Sequence, residues 1–376
     1  MRRVWVIPVL LLAASSFAAD VPIPAPPQIG ASSYILVDYG SGQVLAESQA
    51  DERIEPASLT KLMTAYTAFH ALRQNQIAMQ DEVLVSEKAW RTEGSRMFIE
   101  VDTRVSVEDL LRGMIIQSGN DASVALAEYV AGSEETFVGL MNHHAELLGM
   151  ANSEFQNTTG LPAENHYMTA RDIGTLAYAI IEEFPEYYSF YSEREFTYNE
   201  IRQHNRNSLL WRDESVDGLK TGYTDAAGYC LVTSAERSGM RLVSVVTGMA
   251  STQAREDGSQ SLLNYGFRFY ESHKLYSSGD EVTTARVWGG DPQEVALGPT
   301  EDLHITVLRG RYDALEAEMD LTADLSAPIE AGMQVGEVHV SLDGAEVATV
   351  PLMTLGAIGQ ASLWTRIKDE ITLWLE

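Results

Sequence analysis

The segment IEPASLTKLMTAYTAF, residues 54–69, sets a serine at the head of a helical pattern and a lysine one turn later. Ser58 and Lys61 are three apart, so a helix would put them on one face. Taken alone, Ser58 reads as a helix cap and Lys61 as a solvated side chain. Two further segments change that reading. QSGND carries Ser118 and Asn120 between two helical runs, and LKTGYT carries Lys220, Thr221 and Gly222 on a strand. Each alone suits a turn or an edge strand. Together they provide the parts of an activated serine. A hydroxyl is a weak nucleophile and needs an adjacent base. Lys61 is that base when neutral, and burial plus a second cation, Lys220, are expected to lower its pKa. The backbone N–H groups of Ser58 and Tyr223 are natural oxyanion donors. Ser118 could relay a proton between the two lysines and a leaving amine. Asn120 could hold a substrate amide, and Gly222 leaves room for a substrate backbone beside the strand.

The elements that must position these groups are legible from hydrophobic periodicity. SYILVDYGSGQVLAESQ predicts two strands joined at Gly40-Ser41-Gly42. Helical patterns follow from Ser58 to about Leu72, over Ser106–Gln117, Ala122–Val130 and Glu134–Leu148, and from Thr169, where Asp172 occupies the capping-box position. GLKTGYT, AGYCLVTSAER and MRLVSVVTGM read as strands of one antiparallel sheet, and SQSLLNYGFRFYES returns to helix. Strands at both ends with helices between predict an α/β (α+β) domain whose terminal strands share a sheet. From about residue 276 to 355, short alternating runs between Gly, Asp and Pro predict a small all-β domain. In the last stretch, Trp364, Ile367, Ile371 and Trp374 recur at helical spacing beside Leu363 and Leu375. Arg366, Lys368, Asp369 and Glu370 take the opposite face. Such an amphipathic helix suits a membrane interface but is too interrupted by charge to span a bilayer.

The 376 residues allow two domains, and 45% hydrophobic with 21% charged residues describe an ordinary globular protein. A net charge of −28 argues against binding a nucleic-acid backbone. Arg2 and Arg3, the apolar run Val4–Ala14, and the small residues Ser16 and Ala18 read as a signal peptide cut after Ala18. Export is therefore expected, without the cysteine that a lipoprotein would need near that site. Cys230, the single cysteine, lies in a predicted strand and reads as a buried, inert thiol without a disulfide partner. The histidines form no H-E-x-x-H, so zinc peptidase chemistry has no support, and no cofactor or metal is expected.

S-x-x-K, S-x-N and K-T-G in this order form the set shared by β-lactamases and penicillin-binding proteins. The longer segments SYILVDYGSGQVLAE, PASLTKLMTAY, LLRGMIIQSGNDASVALAE, IRQHNRNSLLW and VDGLKTGYTDAAGY narrow the likeness. Over essentially the whole mature chain, the sequence resembles the exported D-alanyl-D-alanine carboxypeptidases, penicillin-binding proteins 5 and 6. The resemblance implies a β-lactamase/transpeptidase-like catalytic domain over residues 19–274, a small β-sandwich-like domain over 275–357 and an anchoring helix over 358–376. It implies Ser58 as the acylated nucleophile and Lys61 as its base, with Ser118, Asn120 and Lys220 completing the site. Arg206 matches a substrate-side arginine, and Arg255 the arginine that meets the substrate's terminal carboxylate, a group that arginine binds through parallel hydrogen bonds.

The implied reaction removes the terminal D-Ala from peptidoglycan stem pentapeptides through an acyl-serine, with β-lactams as covalent inhibitors. The expected location is the periplasmic face of the inner membrane. Two departures stand out. Tyr223 follows K-T-G where the best-known relatives have histidine. The tail sets Arg366 and Lys368 against Asp369, Glu370 and Glu376, which weakens attraction to anionic lipid. A class A β-lactamase would need E-x-x-L-N to activate the deacylating water, and in PAENHY the residues Glu164 and Asn165 are adjacent instead. A D,D-endopeptidase would use the same serine chemistry. A wall-binding scaffold would need none of these side chains.

Overall fold

The computed structural model describes residues 24–321 and 325–375. The expected signal peptide, residues 1–18, lies outside the described residues. The first strand, β1 (Ser33–Asp38), turns back through Gly40–Gly42 into β2 (Val44–Ser48). Five helices of ten residues or more follow: α1 (Thr60–Arg73), α2 (Val107–Ile116), α3 (Asn120–Ala131), α4 (Glu134–Leu147) and α5 (Ala170–Glu183). Three long strands, β3 (Val216–Thr224), β4 (Gly228–Arg237) and β5 (Met240–Met249), lead into α6 (Thr252–Phe269). The sheet order is β2-β1-β5-β4-β3, antiparallel throughout, so the two ends of the domain meet at its centre.

Strand alternation divides the core in two. Ile35, Val243 and Val245 face α1–α5, whereas Leu36, Leu242 and Val246 face α6. Side-chain caps start the helices as the sequence suggests. Ser106 accepts from the N–H of Asp109, Ser133 from that of Thr136 and Thr169 from that of Asp172. The Asp172 carboxylate does not close a capping box. It accepts from the N–H of Asn152 and the hydroxyl of Ser153, and so ties down the loop ahead of its helix. Helix α6 starts about two turns before the expected apolar pattern, because Ser251 caps it at Ala254.

Strand β6 (Tyr270–Tyr276) leads into the second domain and pairs with β9 (Leu303–Leu308); β7 (Thr283–Trp288) and β8 (Glu294–Gly298) lie between them in sequence. With β10 (Leu315–Leu321), β11 (Gln334–Leu342) and β12 (Ala345–Thr354), these build a sheet ordered β10-β11-β12-β8-β7, extended at β7 by the short Leu325–Ser326 strand. Its core is mostly valine, leucine and isoleucine. The hairpin turn of the catalytic domain seats on this domain. Asp38 Oδ1 accepts from the hydroxyls of Ser41, Ser272 and Thr306, and a Cβ on Gly40 would lie 2.9 Å from His304.

The chain closes with α7 (Leu363–Leu375). Asp369, placed by periodicity on the solvent-facing charged side, is buried. Its carboxylate accepts from the N–H of Gly289 at 2.9 Å and from Gln293 Nε2 at 3.2 Å, with Arg286 at 3.6 Å. The polar side of α7 thus docks on the β-domain, and the apolar side faces out: Leu363 is 72% exposed, Trp364 83%, and Ile367 and Ile371 about half. The side chains of Trp374 and Glu376 lie outside the described residues. Among the described residues, no helix is long and apolar enough to cross a membrane.

Candidate active site

Ser58 does not cap α1. It sits in a single 3-10 turn, Ala57–Leu59, immediately ahead of the helix. Ala57 has a left-handed backbone, φ +49°, which a non-glycine residue adopts only when its surroundings impose it. Gly160 is one cause. A Cβ there would lie 1.7 Å from the Ala57 carbonyl oxygen, so glycine lets the 157–160 segment press directly on the turn. That segment also receives two side chains from α1: Thr64 Oγ1 donates to the Thr158 carbonyl and Lys61 Nζ to that of Thr159.

Lys61 is 1% exposed, yet all its hydrogens have partners: Ser58 Oγ at 3.1 Å, Asn120 Oδ1 at 2.6 Å and the Thr159 carbonyl at 2.6 Å. Burial pushes the amine down to about 7, while the Asp121 carboxylate pulls the other way. The repulsion between Lys61 and Lys220 is mutual. Lys220 is itself held well below its ordinary value, first by burial and then by Lys61, Arg206 and Arg255. Near neutral pH the Lys61 amine can therefore shed its proton and accept one from Ser58.

Ser118 occupies the three-residue gap between α2 and α3, also left-handed at φ +68°. Its hydroxyl accepts from Lys220 Nζ at 2.8 Å. Asn120, the first residue of α3, accepts from Lys61 and donates through Nδ2 to the Glu93 carbonyl at 2.5 Å, which leaves a second amide hydrogen. Lys220, 2% exposed, lies on edge strand β3. The same strand carries Thr221, Gly222 and Tyr223. Gly222 also has a packing role: a Cβ there would lie 3.2 Å from Ala57 Cβ, 3.3 Å from Leu59 Cγ and 3.3 Å from the Pro56 carbonyl. The missing side chain admits the Ser58 turn. Tyr223 turns outward, half exposed, donating to Asp225 and packing at a tilt against Tyr229, ring centroids 4.4 Å apart.

The two arginines part company. Arg255 is buried behind β3, with long hydrogen bonds from Nη1 to the Gly222 carbonyl (3.4 Å) and from Nη2 to that of Arg206 (3.4 Å), and with no partner for Nε. A buried guanidinium so loosely satisfied is suited to meeting an incoming anion. The Arg206 side chain is exposed, near enough for its charge to act on Lys220 and Arg255. Cys230 is fully buried on β4 with its thiol pushed up to about 11, so it takes no part.

Sequence reasoning passed over three contributors. The Thr159 carbonyl is a backbone group that no side-chain pattern announces. Gly160 is one glycine among 28. His166 accepts the Gln156 N–H at Nδ1, so its Nε2 carries the proton and donates to Thr60 Oγ1 at 2.8 Å, bracing the residue two beyond the nucleophile. Burial holds that imidazole neutral by pushing it down to about 4.

Two family models match the chain: D-alanyl-D-alanine carboxypeptidase over residues 20–251, and the C-terminal domain of penicillin-binding protein 5 over residues 270–360. The D-alanyl-D-alanine carboxypeptidase DacC of Escherichia coli is 44% identical over 96% of this chain and 92% of its own length. DacA of the same species is 44% identical over 93% of this chain and 89% of its own. Among solved structures, penicillin-binding protein 5 from Haemophilus influenzae aligns with a TM-score of 0.86 and 42% identity, over 90% of this chain and all of that one. Penicillin-binding protein 6B from Escherichia coli aligns at 0.74 and 36%, over 88% of this chain and 98% of that one. On both domains, then, the chain belongs to the D-alanyl-D-alanine carboxypeptidases of the penicillin-binding protein 5 type, a family of serine hydrolases.

Proposed function

We propose that this chain is a serine D,D-carboxypeptidase that removes the terminal D-Ala from peptidoglycan stem pentapeptides and is acylated at Ser58 by β-lactams. The observation that carries the reading is the contact of Lys61 Nζ with Ser58 Oγ, beside the contact of Lys220 Nζ with Ser118 Oγ. Neutral Lys61 takes the Ser58 proton as Oγ attacks the carbonyl of the penultimate D-Ala. The N–H groups of Ser58 and Tyr223 receive the oxyanion. The C–N bond then breaks, and the departing amine of the terminal D-Ala takes a proton delivered through Ser118. Water hydrolyses the ester with Lys61 again as base, which returns free Ser58. Thr221, Arg255 and Arg206 hold the substrate carboxylate end, and the free Asn120 amide hydrogen holds the stem backbone. No metal or cofactor enters any step.

The proposed setting is the outer face of the inner membrane. The signal-peptide pattern at residues 1–18 supports export, and the outward apolar side of α7 supports peripheral attachment. Catalytic residues 19–274, a β-domain over 275–357 and an anchor over 358–376 are the corresponding functional units. Incubation with penicillin, digestion and mass spectrometry test the core of the reading. The drug's mass is expected on the peptide containing PASLTK and lost in Ser58→Ala. An adduct on Ser118, or turnover too fast to trap one, would overturn it. Product analysis with pentapeptide and cross-linked muropeptides separates carboxypeptidase from endopeptidase action.

A further inference from the structure

Asp121 is 1% exposed and has no place in the acylation scheme above. Backbone alone satisfies its carboxylate. Oδ1 accepts from the N–H of Met97 at 2.9 Å and of Ala122 at 2.9 Å; Oδ2 accepts from Phe98 at 2.9 Å and Ile99 at 3.3 Å. Three successive N–H groups thus curl around one anion. Asn120 grips the same stretch from its other end, through its N–H to the Ser95 carbonyl at 2.7 Å and its Nδ2 to that of Glu93. Gln203 Nε2 holds the Met97 carbonyl at 3.0 Å. Phe98, at the centre, has a left-handed backbone, φ +69°, and a ring 49% exposed. An exposed aromatic in that conformation needs a specific tether, and the carboxylate provides it.

The Asn120–Asp121 pair thus joins two structures. Asn120 Oδ1 receives Lys61, while the rest of the pair fixes residues 93–99. We propose that Asp121 is a positioning residue for acylation: its carboxylate folds Met97–Ile99 into the lip of the cleft, sets the Phe98 ring where the apolar flank of the stem peptide passes, and holds Asn120 against Lys61. This rests on the carboxypeptidase reading. The charged groups facing Lys61 are Asp121 from α3 and Lys220 from β3, with Arg206 and Arg255 acting on Lys220 from beyond the strand. Asp121 favours the charged form of Lys61, so its charge also sets where the base switches on.

The test is the pH dependence of kcat/KM, with KM and kcat resolved separately, on a synthetic peptide ending in D-Ala-D-Ala, using the full chain. Asp121→Asn presents an amide N–H to backbone donors and removes the charge. It should raise KM roughly tenfold, the scale of losing charged hydrogen bonds, and move the acid limb to lower pH. Asp121→Glu keeps the charge and misplaces it, so KM should rise with the acid limb near its wild-type position. Phe98→Ala should raise KM without moving the limb. A parallel profile for Asp121→Asn, with its acid limb unmoved, would overturn the proposal. If Asp121→Asn fails to melt cooperatively, the other two decide: wild-type KM in both overturns it as well. Failure of wild-type Ser58 to take up penicillin would instead sink the carboxypeptidase reading itself.

Discussion

Gly222→Ala isolates what the glycine of K-T-G does in this fold. The new methyl would stand 3.2–3.3 Å from Ala57 Cβ, Leu59 Cγ and the Pro56 carbonyl, all in the turn that carries Ser58. Carbon contacts relax at about 3.5–4.0 Å, so the strand and the turn must separate by a few tenths of an ångström. Overpacking on this scale costs about 1–3 kcal/mol, and three contacts only slightly short belong at the lower end. The expected fall in melting temperature is about 2–4 °C per kcal/mol. Catalysis should suffer more than folding. A misplacement of about 1 Å costs on the order of 10²-fold, so a third to half of that distance gives roughly 5- to 10-fold. Because the nucleophile itself moves, acylation by penicillin and hydrolysis of a D-Ala-D-Ala peptide should fall together. Stopped-flow acylation and steady-state peptide turnover, run on the same preparation, measure both. Normal acylation with impaired turnover of the peptide would refute the packing account, and would show that the missing Cβ makes room for substrate.

The penicillin acylation rate should climb as pH rises through about 7, because only the deprotonated Lys61 amine accepts the Ser58 proton; a flat profile from pH 5 to 9 would exclude it as the base. Arg255→Ala should slow turnover of a D-Ala-D-Ala peptide by the equivalent of about 1.5–3 kcal/mol, yet leave acylation by an uncharged thioester much less affected. Equal losses on both substrates would point to a folding defect instead. Deleting residues 360–376 should release an active enzyme from the membrane fraction, and the full-length chain should stay bound in high salt because apolar burial dominates its attachment. Retention of the truncated chain would disprove a role for α7.

Side chains that act through type and spacing were legible in the sequence. Ser58, Lys61, Ser118, Asn120 and Lys220 meet in the structure, and the strands and helices around them run close to where periodicity puts them. What escaped depends on backbone groups or on absent atoms. The Thr159 carbonyl takes a Lys61 hydrogen with no signature in residue type. The left-handed turn at Ala57 follows from the glycine at 160, over a hundred residues away. Periodicity also misjudges charge. Asp172 and Asp369 satisfy the local patterns of a capping box and a solvated face, yet tertiary partners claim both. The lowering of the Lys61 amine by burial was anticipated from the sequence, but not the opposing pull of the Asp121 carboxylate.

The position of β1 has a consequence for the order of events in the life of the chain. Ser33 bonds to Thr247, 214 residues away, and β1 lies inside the sheet with β5 on its far side. The hairpin with β2 can form early, but the central sheet cannot close until the final strand has been delivered. Such non-local pairing makes folding slow, since chain entropy is lost before contacts repay it. In the proposed exported setting, that delay would keep the polypeptide threadable during synthesis. It also delays the chemistry: Lys220 reaches Ser118 only once β3 is in place, and β3 joins the sheet through β4 and β5. On the proposed export route, the serine would acquire its full set of partners only after translocation, with the wall it is proposed to trim within reach.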